Sequence, residues 1–380
     1  MREALRCVML FLCGAIVYLN AHSQSVVNDS QLLSGVFTFP YREYGSGVSF
    51  FDCNNDGLDD ITFPLKNDSI IVFLSNGTGF IPYKFNYIFG EAKMPLWADF
   101  DNDGDYDLLV TVYEGQTRLL KNNGNFEFED VTNEVGLSIT NGYLTYGASW
   151  GDYNNDGWLD LYVCVYDFGN AVGNFLFKNN GGQNFSNVTS VTGATINSDY
   201  SFQSTIIDFD FDGDVDIHVA NDRYPRDGFY VNQGNFFQNL YSFYGLDRNA
   251  DSMSSSWADY DHDGDMDFYV SNTALMGNDF WEMNDEGYFI DVAEDKGVEV
   301  FRWCWGALWV DINNNSWEDL YVCNQANPDD VPTFFINNVG ELTQNNIIEN
   351  SSESDVVWSY AAAKGDFNND GFYDIAVNTY

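Results

Sequence analysis

Residues 99–107 read Asp-Phe-Asp-Asn-Asp-Gly-Asp-Tyr-Asp, and near-copies of the stretch start at Asp52, Asp152, Asp208, Asp259, Asp311 and Asp366. Side-chain oxygens stand at the first, third and fifth places. Gly104 at the sixth lets the backbone turn, and Asp107 returns a carboxylate at the ninth. Convergent oxygens of this kind suit calcium, a hard cation that takes roughly six to eight oxygen ligands. Without a cation, carboxylates about 4 Å apart repel by ~1 kcal/mol per pair even in bulk water. Seven such clusters in one chain therefore point to bound metal.

The ligand places are Asp52, Asn54, Asp56 and Asp60 in the first copy and Asp99, Asp101, Asp103 and Asp107 in the second. Asp152, Asn154, Asp156 and Asp160 make the third, and Asp208, Asp210, Asp212 and Asp216 the fourth. Asp259, Asp261, Asp263 and Asp267 follow, and Asp366, Asn368, Asp370 and Asp374 close the series. The copy at Asp311 departs: Asn313, Asn315 and Ser316 replace the acids and glycine, leaving only Asp311 and Asp319. That loop is expected to bind metal weakly or not at all.

An EF-hand would place a bidentate Glu at the twelfth position and run into a helix. The twelfth residues here are Phe63, Val110, Val163, Val219, Val270, Val322 and Val377, within runs such as Leu-Tyr-Val-Cys-Val at 161–165. These are β-formers, so strands flank the loops. An apolar residue, Trp in four copies, stands two places before the first Asp except at Lys364. Small residues precede it, as at 147–149, 254–256 and 361–363. Small side chains let inner strands converge on an axis. After each loop come a second strand, a variable connection, a third strand ending in an Asn- and Gly-rich turn, and a fourth strand. Loop starts lie 47 to 56 residues apart, which is one four-stranded unit per loop. The fold predicted is all-β, a seven-bladed β-propeller of four-stranded antiparallel blades, with calcium loops between first and second strands.

Residues 1–23 read as an export signal: Arg2 and Arg6, an apolar run over 7–19, then Ala21-His22-Ser23 with cleavage before Gln24. This predicts a secreted or cell-surface protein with no membrane insertion after cleavage. The propeller spans 46–380, and its last unit reaches Tyr380 only two strands in. Either residues 24–45 close it, with a strand at 35–40 and another at Ser25-Val-Val-Asn, or the chain is the front of a longer protein. Of the cysteines beyond the signal, Cys164 and Cys323 share a packing position. Reflecting the hairpin about Asn315 puts Cys323 opposite Ala307, which disfavours a Cys304–Cys323 bridge.

A formal net charge of −43 with 45% hydrophobic residues describes a folded acidic protein. Such a field excludes nucleic acid and anionic membranes as partners. The connections opposite the loops, at 166–173, 221–228, 272–279 and 324–332, are the variable ones, where binding usually resides. Arg223, Tyr224 and Arg226, with Arg248 nearby, form a basic cluster for an acidic ligand, or else pair locally with Asp222, Asp227 and Asp247. No nucleophile elbow, HExxH or phosphate loop is present. His218 sits on a strand as core, and His262 lies inside a loop. No catalysis is expected; the alternative is a propeller-based polysaccharide lyase or hydrolase, or the non-catalytic propeller of a longer enzyme.

The repeated loop within a four-strand unit resembles the FG-GAP/VCBS-repeat β-propellers, which include the head of integrin α chains. The phrase Leu-Lys-Asn-Asn-Gly at 120–124, followed by Phe-Glu-Asp-Val-Thr-Asn-Glu-Val-Gly-Leu at 128–137, is more narrowly similar to cartilage acidic protein-like (ASPIC/UnbV-associated) exported proteins. The resemblance implies a calcium-binding propeller used for adhesion or for binding an extracellular protein or glycan.

Overall fold

In the computed structural model each acidic loop is the turn of a β-hairpin. Gly151 faces Asp160 and Trp150 faces Leu161 across the third loop. Ala98 with Asp107, Ile207 with Asp216, Ala258 with Asp267, Val310 with Asp319, and Gly365 with Asp374 repeat the register. The structure describes residues 46–65, 69–85, 87, 90–113, 115–166, 172–195, 200–223, 226–325, 333–345 and 359–379, and the backbone strands at 7–12, 15–20 and 25–28.

Two more strands extend each of six hairpins into a four-stranded antiparallel blade. In the third blade the order is Thr145–Gly151, Asp160–Val165, Phe175–Asn179 and Phe185–Asn187. Burial falls outward: the second strand, Asp160–Val165, is buried throughout, whereas two of the three residues of the fourth are exposed. A strand covered on both faces reads as a continuous apolar run rather than an alternating one, as Leu-Tyr-Val-Cys-Val does. Inner strands crowd together as the small residues require. A Cβ on Gly147 would lie 2.5 Å from the Phe202 carbonyl oxygen, and one on Gly365 would lie 2.6 Å from the Phe50 ring.

Seven four-stranded antiparallel blades are predicted, the last of them two strands in at Tyr380; the described residues form six and a partial seventh sheet. In that sheet Ser359–Gly365 and Asp374–Thr379 keep the blade pattern. The strands Cys7–Leu12, Ala15–Asn20 and Ser25–Asn28 extend it, the first joined in parallel through Leu10 with Ile375 and Phe11 with Ala376. A third strand reached by a short connection from the second runs antiparallel; one supplied from elsewhere in the chain escapes that constraint. Ser25–Asn28, expected as a third strand, stands outermost, and the strand expected at 35–40 lies outside the described residues.

The seventh sheet still meets the first blade. Asn378 Nδ2 donates to Ser46 Oγ (2.8 Å), Ser75 Oγ donates to the Phe367 carbonyl (2.6 Å), and Phe80 stacks on Phe367 at 5.3 Å. Cys53, Cys164, Cys304 and Cys323 are buried thiols, with no Cys304–Cys323 disulfide. Cys323 faces Gly306 rather than Ala307, because the hairpin is centred between Asn314 and Asn315, the register that also pairs Val310 with Asp319, and not on Asn315.

Metal loops and the axial cavity

Five of the loops share one hydrogen-bonding scheme. The first Asp accepts from the backbone N–H groups at the fifth and sixth places: Asp152 from Asp156 (3.0 Å) and Gly157 (2.7 Å), Asp366 from Asp370 (3.0 Å) and Gly371 (2.8 Å). In the loops at Asp208 and Asp259 the fifth-place N–H turns instead to the third-place Asp210 and Asp261. The ninth Asp is buried and ties the loop to the third strand, where Asn122, Asn179, Asn232 and Asn337 donate their N–H to Asp107, Asp160, Asp216 and Asp319 at 2.7–2.8 Å. Three of these Asn side chains reach back to the preceding loop: Asn179 to the Phe100 carbonyl, Asn232 to Tyr153 and Asn337 to Tyr260, each at 2.8 Å. Those carbonyls belong to the second loop place, whose side chains (Cys53, Phe100, Tyr153, Phe209, Tyr260, Ile312 and Phe367) are all buried. They pack against the next blade, as Phe100 does in one cluster with Leu161 and Phe185.

Carboxylates converge most closely in three loops. Asp99, Asp101 and Asp107; Asp208, Asp210 and Asp216; and Asp259, Asp261 and Asp263 each bring ligand oxygens within 4.8 Å of one another. Buried oxygens without a hydrogen-bond partner occur in the same three loops, on Asp101, Asp208, Asp216, Asp259 and Asp267. A buried unsatisfied carboxylate oxygen is costly, and a cation among these oxygens removes the cost, so the residues fit a hard divalent ion. Burial pushes the ninth carboxyls up, to about 7 for Asp60, Asp107, Asp160, Asp216 and Asp319 and about 8 for Asp267. A bound cation reverses that preference by favouring the ionised form. Lys121 reaches Asp101 and Asp103, and Lys178 reaches Asp156 at 2.8 Å, so lysines partly offset the charge of two loops. In the first, third and seventh loops Asn54, Asn154 and Asn368 hold the third place. Asn154 Nδ2 donates to Asp160 at 2.8 Å.

The divergent loop keeps its shape by other means. Asn315 and Ser316 N–H groups still reach Asp311, and Asn315 Nδ2 donates to the Asn337 carbonyl at 2.9 Å. An internal hydrogen bond stands where the other loops hold a fifth-place carboxylate.

Residues 99–163 and 208–270 match the FG-GAP-like repeat family. The chain carries FG-GAP-like repeats in a β-propeller. No curated protein sequence matches it. Among solved structures, a candidate 6-phosphogluconolactonase from Bacteroides uniformis is similar over 88% of this chain and 91% of its own, at 11% identity and a TM-score of 0.54. A protein from Lactobacillus plantarum is similar over 87% and 90%, at 10% identity and a TM-score of 0.54. At such identities the likeness is one of fold.

At the end of the propeller away from the metal loops, the inner strands surround an axial cavity of about 170 Å³. Six places before the seven loop starts stand Ser46, Lys93, Tyr146, Phe202, Met253, Trp305 and Tyr360, and every one lines it. In six inner strands the pairing register slips at this place, between Ala92 and Pro95, Thr145 and Ala148, Ser201 and Gln203, Ser252 and Ser254, Cys304 and Gly306, and Ser359 and Ala361. A β-bulge re-aims the side chain it releases; here it turns one residue per inner strand toward the axis. The rings form a continuous wall: Tyr113 with Tyr146 (5.5 Å), Tyr146 with Tyr166 (5.5 Å) and Phe202 (4.9 Å), Phe202 with Trp305 (5.9 Å), and Trp305 with Tyr360 (5.7 Å). The sequence reading missed these residues, although their fixed offset from the loops was the available signal.

The proposed basic cluster is divided among different acids. Arg226 pairs with Asp247 (2.9 Å), and Arg248 pairs with Asp279 and with Asp291 (2.8 Å). Arg223 lies over the Tyr166 and Tyr200 rings at 5.8 and 5.5 Å and donates to the Tyr166 hydroxyl at 2.8 Å, beside the aromatic wall. Tyr224 lies outside the described residues. His218 is buried, with Nδ1 3.0 Å from Ser255 Oγ and Nε2 3.7 Å from Asp227. Burial holds its pKa down, to about 3, and pushes Asp227 up to about 8. Both are therefore neutral core groups, and Asp227 accepts from the Asn221 N–H at 2.8 Å rather than pairing with the arginines. His262 stacks on Trp317 of the next loop at 4.1 Å.

Proposed function

We propose that this protein is an exported, calcium-loaded propeller of the cartilage acidic protein-like kind, whose metal is structural and whose task is to bind an extracellular ligand. The observation that carries the reading is the separation of its two ends. Calcium loops stitch the blades at one end, and an aromatic cavity built from the same place in every repeat opens at the other. A pocket of mostly apolar lining with a few polar groups is the usual form of a small-ligand site. Calcium that binds only the folded chain stabilises it by roughly 2.7 kcal/mol per site at a hundredfold excess over Kd. Its affinity range suits export, since extracellular calcium modules work at about 10⁻⁴ to 10⁻³ M.

Two measurements test the reading. Chelation should lower the melting temperature of the secreted protein, which should begin at Gln24 and so lack the strands Cys7–Leu12 and Ala15–Asn20 of the seventh sheet; an unchanged melting temperature removes the calcium role. A glycan and small-molecule screen on the calcium-loaded protein should yield ligands that Trp305→Ala no longer binds. Turnover of a polysaccharide in the same screen would replace the binding role with a catalytic one.

A further inference from the structure

We infer that the axial cavity takes the carboxylate-bearing terminal sugar of an acidic glycan, with Lys93 meeting the carboxylate and the aromatic wall packing on the ring. This rests on the ligand-binding reading above and narrows it to one chemical class. The repeats supply their own control. At the place equivalent to Lys93, the other six repeats carry Ser46, Tyr146, Phe202, Met253, Trp305 and Tyr360, so packing at the axis is satisfied without a charged side chain. Among the described residues, Lys93 is the one charged group lining the cavity. It is a cation, in a chain of formal net charge −43.

The Lys93 side chain is 2% exposed, and its ammonium lies 5.1 and 5.0 Å from the centres of the Tyr113 and Tyr146 rings and donates to Glu91 at 2.7 Å. Burying a lysine is costly unless it is paired, and the rings and Glu91 provide that pairing. A ligand carboxylate meets this ammonium by taking it over from Glu91, whose own side chain is 27% exposed and can turn to water. Arg223 sets a second cation on the same wall, since its partner Tyr166 lies 5.5 Å from Tyr146 and 4.8 Å from Phe202. Its side chain is about half exposed, at 48%, and lies 3.7 Å from Asp222, a loose pair that leaves part of the guanidinium to solvent. Two cations at the edges of an aromatic face match a sugar carboxylate, with the apolar face of the ring on the aromatics. A phosphate would call for a bidentate arginine or a row of backbone N–H groups, and the cavity lining offers neither. The small volume admits a chain end rather than a threading polymer, and Trp303, 46% exposed and 6.5 Å from Trp305, extends the aromatic surface outward.

The test is calorimetric titration of the calcium-loaded full chain with glucuronate- and galacturonate-terminated oligosaccharides, their neutral glucose and galactose counterparts, and acetate. The uronates should bind at least about tenfold more tightly than the neutral sugars, and acetate should not bind. Lys93→Met, which installs the residue that Met253 supplies in the fifth blade, should erase that preference while the melting temperature holds. If Lys93→Met does not fold, Arg223→Gln at its half-exposed site should by itself weaken uronate binding several-fold. Neutral sugars binding as tightly as uronates, or uronate affinity indifferent to both substitutions, overturns the inference and leaves a binding cavity in place. If no ligand in the broader screen responds to Trp305→Ala, the binding role falls as well.

Discussion

At the scale of single residues, the Asn that ends the third strand does two jobs. Its N–H satisfies the buried ninth Asp of its own blade, and in three blades its side chain satisfies a carbonyl in the preceding loop. Removing that side chain orphans the carbonyl, at a cost of about 1–3 kcal/mol. Asn232→Ala should therefore lower unfolding free energy by that amount in a denaturant titration. The exposed Asn123→Ala should change it little, and equal effects would refute the stitching role. The fourth loop place makes a second case. It is left-handed in all seven loops, and Asn55, Asn102, Asn155, Asn314 and Asn369 suit it, whereas Phe211 (φ 57°) and His262 (φ 59°) do not. Four of those Asn side chains donate to the sixth-place carbonyl of the next loop, at 2.8–3.2 Å. A left-handed conformation costs a non-Gly residue roughly 1–2 kcal/mol, and Asn tolerates it best. Phe211→Asn, at an exposed site, should relieve that strain, gain a bond to Gly264 and raise the melting temperature; a fall would show that the Phe ring contributes more than its backbone costs.

At the scale of the loop and its hairpin, ligand number decides occupancy. The Asp311 loop holds itself with Asn315, so it needs no ion to reach its shape. Elemental analysis after equilibration in millimolar calcium should find six ions per chain. Asp107→Asn should lower the count by one and Asp311→Asn should leave it unchanged; a loss of one ion from the latter would make the divergent loop a true site. This level was the most legible in the sequence, because oxygen ligands at fixed spacing followed by β-formers permit little besides a hairpin turn. The bulges were not legible. A period of two says which face a side chain takes and nothing about where the register slips, which is why the axial residues went unnoticed; Cys323 was placed against Ala307 because the hairpin is centred between Asn314 and Asn315 rather than on Asn315. The arginines misled for a related reason: Arg248 finds Asp279 and Asp291, partners 31 and 43 residues away that no local reading supplies. The seventh sheet was half legible, since its hairpin is written in the repeat and its further strands are not.

At the scale of the whole ring, protons and calcium compete for the same carboxyls. In the metal-free chain, burial raises six ninth-place carboxyls from the ordinary 3.8 to about 7 or 8. A carboxyl whose folded pKa is raised binds more protons folded than unfolded between those values. Stability then falls as pH rises through the window, and the repulsion within a net charge of −43 acts in the same direction. Calcium needs the ionised form, so its affinity climbs as those protons leave. The two dependences have opposite sign and meet in the same residues. In excess chelator the melting temperature should decline from pH 5 to pH 8. In millimolar calcium it should hold or rise across that interval, so that the gap between the two curves is smallest in acid. Curves that run parallel would mean that the ions sit elsewhere than in the loops or leave the ring unaffected. A gap that widens toward acid would mean that the ninth carboxyls are not the groups that calcium deprotonates.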